Sequence, residues 1–126
     1  MDRTASVMNL AGDAADRVTF DANLSATNIA DISCGVIFVH AFWAGSSVTA
    51  LKRFCEMLVR VDPNRRLTFT VCNIDEIEPE RIDLYAGDHT GGNGDIVWVR
   101  DGVVLARHNA SRCCDLEATT RNLLAE

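Results

Sequence analysis

With 126 residues, 48% hydrophobic and 24% charged, the chain has the composition of one globular domain. A length of this order buries roughly two thirds of the unfolded surface. The net charge of -6 argues against nucleic acid and against an anionic membrane surface, since both need clustered Lys and Arg.

The first sixteen residues are rich in Ala, Asp and Ser, with Val7, Met8 and Leu10 as candidate anchors. They read as a short surface helix or a partly disordered extension, which sets an expected division into an extension over 1–16 and a domain over 17–126. Met1 to Leu10 holds no continuous apolar segment, so no secretory leader is expected. Five scattered cysteines, Cys34, Cys55, Cys72, Cys113 and Cys114, are an odd number without a Cys-x-x-Cys spacing. Reduced thiols in a cytoplasmic protein are the expectation.

Arg17 to Phe20 reads as a short strand, and Leu24, Asn28, Ile29 and Ile32 follow a helical spacing. Val36 to Trp43 is nearly continuously apolar, the pattern of a central parallel strand covered on both faces. It is also the longest apolar run, about half of the ~20 residues a membrane span needs. Past Gly45, Val48, Leu51, Phe54, Cys55, Leu58 and Val61 mark an amphipathic helix, with Ser46 or Ser47 as its expected N-cap. Asp62-Pro63-Asn64 stops it.

Leu67 to Asp75 alternates as a strand, and Pro79 to Tyr85 reads as a short helix. Ala86 to Gly94 carries four glycines in nine residues, which reads as a loop. Asp95–Val99 and Val103–Arg107 flank Asp101-Gly102 as a hairpin. Ser111 to Ala125 closes the chain as a helix with Leu116, Thr120, Leu123 and Leu124 on its inner stripe.

In this β-α-β-α-β-α-β-β-α order, Phe42-Trp43-Ala44 resembles the Phe-Trp-Ala of thioredoxins, and Asn73-Ile74-Asp75 their Asn-Ile-Asp. Val99-Arg100-Asp101-Gly102-Val103 is similar to their Phe-Lys-Asn-Gly-Glu. The resemblance runs from about Val18 to the C-terminus. It implies an α/β, thioredoxin-like three-layer α/β/α sandwich: a central mixed sheet ending in a C-terminal β-hairpin and a final helix.

The same resemblance shows what is missing. Where thioredoxins continue into Trp-Cys-Gly-Pro-Cys, Ala44 is followed directly by Gly45-Ser46-Ser47, about three residues shorter and without a thiol. A dithiol at a helix N-terminus is what supplies a reactive thiolate near neutral pH, and serine is too weak an acid to replace it. The family's buried Asp corresponds to Ala41 and its cis-Pro to Gly94. Thiol–disulfide exchange is therefore not expected at this turn, and no catalytic residue is assigned.

What the turn keeps is a candidate binding surface made of Trp43, Gly45, Ser46, Ser47, His89, Asn93 and Gly94. His40 reads as a core histidine, and the Gly-rich loop lacks Gly-Lys-Ser/Thr. The His and Cys positions lack metal-ligand spacing, so no metal or other cofactor is expected. The leading functional expectation is a redox-inactive domain acting through a protein partner as chaperone, adaptor or assembly subunit. The alternative is a redox protein or sensor using Cys113 and Cys114, whose vicinal disulfide would be strained and easily reduced. Self-association into a homodimer, through a strand edge or the altered site, stays open.

Overall fold

Five strands form one mixed sheet in the order β1-β3-β2-β4-β5. They are β1 (Val18–Phe20), β2 (Cys34–His40), β3 (Thr68–Asn73), β4 (Asp95–Arg100) and β5 (Val103–Asn109). The structure is a computed structural model that describes residues 3–77, 94–109 and 116–125. β3 runs parallel to both β1 and β2, with Val36 opposite Phe69 and His40 opposite Asn73. β4 is antiparallel to β2, and β5 to β4. β2 therefore has a strand on each side and is buried from Gly35 to His40, which is why its sequence is apolar without alternation.

The pleat divides the core. Val36, Phe38, Phe69, Val71, Ile96 and Trp98 face three helices: α1 (Arg3–Ala11), α2 (Gly45–Val61) and α3 (Leu116–Leu124). Ile37, Val39, Cys72, Val97 and Val99 face the other way, onto Leu24, Ile29 and Ile77. Leu51, Phe54 and Leu58 of α2 are fully buried, so the helical stripe read from the sequence is the packed face. Leu123 and Leu124 enter the same core from α3. Thr120 ties that helix to the sheet: its hydroxyl accepts from Trp98 Nε1 at 3.0 Å and donates to the Leu116 carbonyl at 2.8 Å.

The mixed sheet with helices matches the α/β architecture expected of the thioredoxin-like resemblance. Three local readings change. The segment 24–32 holds one 3-10 turn, Ile29–Asp31, where the spacing suggested a helix. Its polar side chains take the backbone instead. Asp21 accepts from the Ala26 amide and the Thr27 hydroxyl, and Asn23 and Asn28 accept from the amides of Ser25 and Ala30. Leu24 is buried with φ 60°, outside any right-handed helix.

The N-terminal segment also goes deeper than a surface helix. Val7 is fully buried, and Ala11 and Ala14 join it in the core that contains Phe38. The third change, at the cap of α2, belongs to the site. At the hairpin, Asp101 and Gly102 have φ 53° and 77°, the paired positive angles of a type I′ turn. The amides of Asp101 and Gly102 donate to the Ser33 and Ile32 carbonyls, which fixes the hairpin to the approach of β2.

The expected helix at 79–85, the Gly-rich loop through Asn93 and the residues 110–115 lie outside the described residues. Among the described residues, no helix is long and apolar enough to cross a membrane.

Candidate functional site

β1, β3 and β2 are parallel, so their carboxyl ends come together at one edge of the sheet, where β4 begins. Backbone bonds lock these ends. The Asp21 amide donates to the Val71 carbonyl, the Asn73 amide to Ala22, and the Ile74 amide to His40. Such an edge is the usual place for a site in open α/β sheets.

From His40 the chain turns through Ala41-Phe42-Trp43-Ala44, closed by a bond from the Ala44 amide to the Ala41 carbonyl at 3.2 Å. The turn is tight enough that α2 starts at Gly45, with Ala44 as N-cap and no capping side chain. The expected N-cap at Ser46 or Ser47 is thus corrected: both lie inside the first turn. Ser47 points into the sheet and is fully buried. Its hydroxyl lies 2.7 Å from His40 Nδ1 and accepts from the Ala41 amide at 3.0 Å.

The hydroxyl can take the Ala41 N–H and still either donate to Nδ1 or accept from it, so the tautomer of His40 sets the direction of that bond. Burial pulls its pKa from 6.5 to about 4. Nε2 has no partner among the described residues. His40 is thus a neutral, buried strut between β2 and α2, packed edge-on against Phe42 at 4.5 Å between centroids. A buried hydroxyl fixed in this way offers no path for substrate. Ser47 therefore leaves the candidate surface and joins the scaffold beneath it.

Trp43 does the opposite. It is 66% exposed, and its indole Nε1 donates to Asp75 Oδ2 at 3.0 Å. Asp75 is placed in turn by Asn73, a fully buried residue at the end of β3. The Asn73 carbonyl oxygen Oδ1 accepts from the Asp75 amide at 3.0 Å, and its Nδ2 donates to Glu76 Oε2 at 2.7 Å. The indole is thus held against the sheet edge through two linked side chains. Beside it, Phe42 packs on Phe20 and carries the Arg3 guanidinium 5.0 Å from its ring centroid. Gly45 and Ser46 are exposed next to Trp43.

Gly94 faces the same edge but is buried, with φ 90°. A Cβ there would meet Phe38 Cζ at 2.8 Å, so its role is close approach of the backbone to the core. His89 and Asn93 lie outside the described residues, as do Cys113 and Cys114. Sequence reasoning passed over Asp75 and Glu76 as site residues. The signal available was Asn73-Ile74-Asp75 at a strand end opposite the Trp-bearing turn.

The three described cysteines are free thiols away from this turn. Cys55 and Cys72 are buried, and burial pushes the Cys55 thiol up to about 12 and raises Cys72 as well. Cys34 is half-buried at the start of β2, at the opposite end of the sheet, and burial raises its pKa too. Among the described residues no His, Cys, Asp and Glu cluster could hold a metal ion.

No protein-family model matches the sequence, and no curated protein matches it. Solved structures do. Oxidised mitochondrial thioredoxin 3 of Saccharomyces cerevisiae matches with TM-score 0.63 at 20% identity, over 83% of this chain and 94% of that one. A chain from the structural study of the thiol resolving mechanism in yeast mitochondrial 1-Cys peroxiredoxin matches with TM-score 0.62 at 20% identity, over 85% and 96%. Thioredoxin from Trypanosoma brucei brucei gives 0.55 at 14% identity, over 85% and 87%. At these identities the likeness establishes the fold.

Proposed function

We propose, from the premise of a thioredoxin fold, that this chain is a redox-inactive binding domain. It acts through a protein partner, as chaperone, adaptor or assembly subunit, at the surface around Trp43. The observation that carries the reading is the exposed Trp43, pinned to Asp75 on a turn that holds no thiol. A large rigid aromatic at a site rim is a common anchor of protein interfaces. The described cysteines support the same reading, since raised pKa values keep thiols protonated and poorly nucleophilic. A reducing, cytoplasmic location suits a chain with five cysteines and no Cys-x-x-Cys spacing.

The test is disulfide reduction with insulin as substrate, using the full chain at catalytic concentration with a thiol reductant. The expected rate equals that of reductant alone, for wild type and Trp43→Ala alike. Catalysed reduction contradicts the proposal. If that activity disappears in a Cys113→Ser/Cys114→Ser variant, the function is redox chemistry at those two cysteines instead. Sedimentation over a concentration series settles self-association separately, with a monomer throughout ruling out a homodimer.

A further inference from the structure

The charge around the sheet is not evenly spread. The segments leaving the carboxyl ends of β1, β2 and β3, and the start of β4, carry Asp21, Asp75, Glu76 and Asp95. Residues 21–22, 41–45, 74–77 and 94–95 contain no Lys or Arg. At the opposite end cations and anions are mixed: Arg17, Arg65, Arg66 and Arg100 lie among Asp16, Asp62 and Asp101, with Arg17 paired to Asp62 and Arg65 to Asp16. Trp43 thus stands exposed at an end whose strand-end segments are acidic, with Arg3 over the neighbouring Phe42 as a nearby cation.

The hydrogen bond to Asp75 has a second consequence. An indole N–H that donates to a carboxylate pushes electron density into the ring, which deepens the negative potential over the π face. Asp75 and Glu76 are both exposed and both fixed by Asn73. A cation above the indole meets a ring quadrupole and two carboxylates at once. An anionic or acidic segment meets repulsion from the same groups. The neighbouring ring already shows this preference, since Arg3 of the chain itself lies over Phe42 at 5.0 Å.

We infer that the Trp43 surface recognises a cationic peptide segment, with a Lys or Arg side chain of the partner placed over the indole and paired with Asp75 and Glu76. The inference rests on the binding role proposed above and adds the chemistry of the partner. Net charge works in the same direction: the chain at -6 steers a basic partner toward itself at low salt.

The experiment is calorimetric or fluorescence titration of the full chain with three short peptides of matched length. One carries Arg and Lys, one has these replaced by Gln, and one has them replaced by Glu. The variants are Trp43→Ala, Asp75→Asn and Glu56→Gln. Glu56 is an exposed residue of α2, and its substitution changes net charge by the same amount as Asp75→Asn.

The expected result is binding of the basic peptide that weakens roughly fivefold with Gln in place of Lys and Arg, and by a similar factor in Trp43→Ala or Asp75→Asn. Glu56→Gln leaves it unchanged. Equal effects of Glu56→Gln and Asp75→Asn overturn the inference, because attraction to net charge alone then accounts for the binding. Preferential binding of the neutral peptide, lost in Trp43→Ala, also overturns it while leaving the binding role in place. Absence of binding by all three peptides overturns it too, while the redox-inactive reading stands or falls with the disulfide assay.

Discussion

The two ends of the sheet use charge in opposite ways. At the end where β1 and β3 begin, Arg17 and Asp62 form a buried pair at 2.5 Å, with side chains 7% and 1% exposed. Asp62 also accepts from the amides of Arg66 and Leu67, and Arg17 donates to the Asp62 and Leu67 carbonyls. Burial pulls the Asp62 carboxyl upward, but the Leu67 and Arg66 amides and Arg17 outweigh it and leave the pKa lowered. At the other end, Asp75 and Glu76 are exposed, and Asp75 holds an exposed indole. The first arrangement closes the junction of the 3-10 segment Gly12–Arg17 with α2 and β3 and presents nothing to a partner. The second contributes little to packing and leaves an oriented aromatic in solvent. One end serves stability, and the other is built for contact.

Breaking the closed end has the largest expected effect. Asp62→Ala leaves a buried guanidinium without its counter-charge and two amides without their acceptor, and denaturant unfolding is expected to show a loss of about 3–5 kcal/mol. The same substitution logic applied to the open end gives almost nothing. Between these extremes lie the supports beneath the open end. Ser47→Ala removes the partner of His40 Nδ1 and of the Ala41 amide, with an expected cost of about 2 kcal/mol. Gly94→Ala combines φ 90° with a collision against Phe38, and a similar cost of about 2 kcal/mol is expected.

His40 adds a pH dependence. Its folded pKa, about 4, lies below its ordinary 6.5, so between these values the unfolded chain takes up a proton that the folded chain does not. Stability is therefore fully present above pH 6.5 and falls as pH drops toward 4, with no further loss from His40 below that. Urea unfolding at a series of pH values is expected to show this slope, and His40→Gln to flatten it. The smallest effect on stability is at Trp43. Trp43→Ala is expected to shift unfolding by less than about 0.5 kcal/mol, since the side chain is exposed, while weakening peptide binding roughly fivefold. A large destabilisation there would erase the distinction between the ends.

Much of the fold was legible because burial writes itself into β2 and α2. The nearly continuous apolar run of Val36 to Trp43 and the 3.6-residue stripe from Val48 to Val61 specify one strand with two covered faces and one amphipathic helix. Asp101-Gly102 specified its turn through the positive φ that glycine and aspartate tolerate. The segment from Leu24 to Ile32 was misread because apolar spacing is blind to Asp21, Asn23 and Asn28 bonding the backbone locally.

The site was half legible. Trp43 and the thiol-free turn were readable as residues, and so was the place they occupy at a strand end. Whether Ser47 capped the helix or faced the sheet depended on one residue of helix start, which composition does not determine. The pairing of Trp43 with Asp75 joins residues 32 positions apart, and only the parallel register of β2 and β3 brings them together.

The most direct measurement is amide and indole NMR mapping of the full chain titrated with the basic peptide. The expected shifts concentrate on the Trp43 indole Nε1 and the amides of Gly45, Ser46, Asp75 and Glu76, with Arg17, Arg66 and Arg100 unmoved. Shifts centred on the arginine-bearing end, or spread evenly over the surface with the Trp43 indole still, would contradict a binding surface at the strand ends.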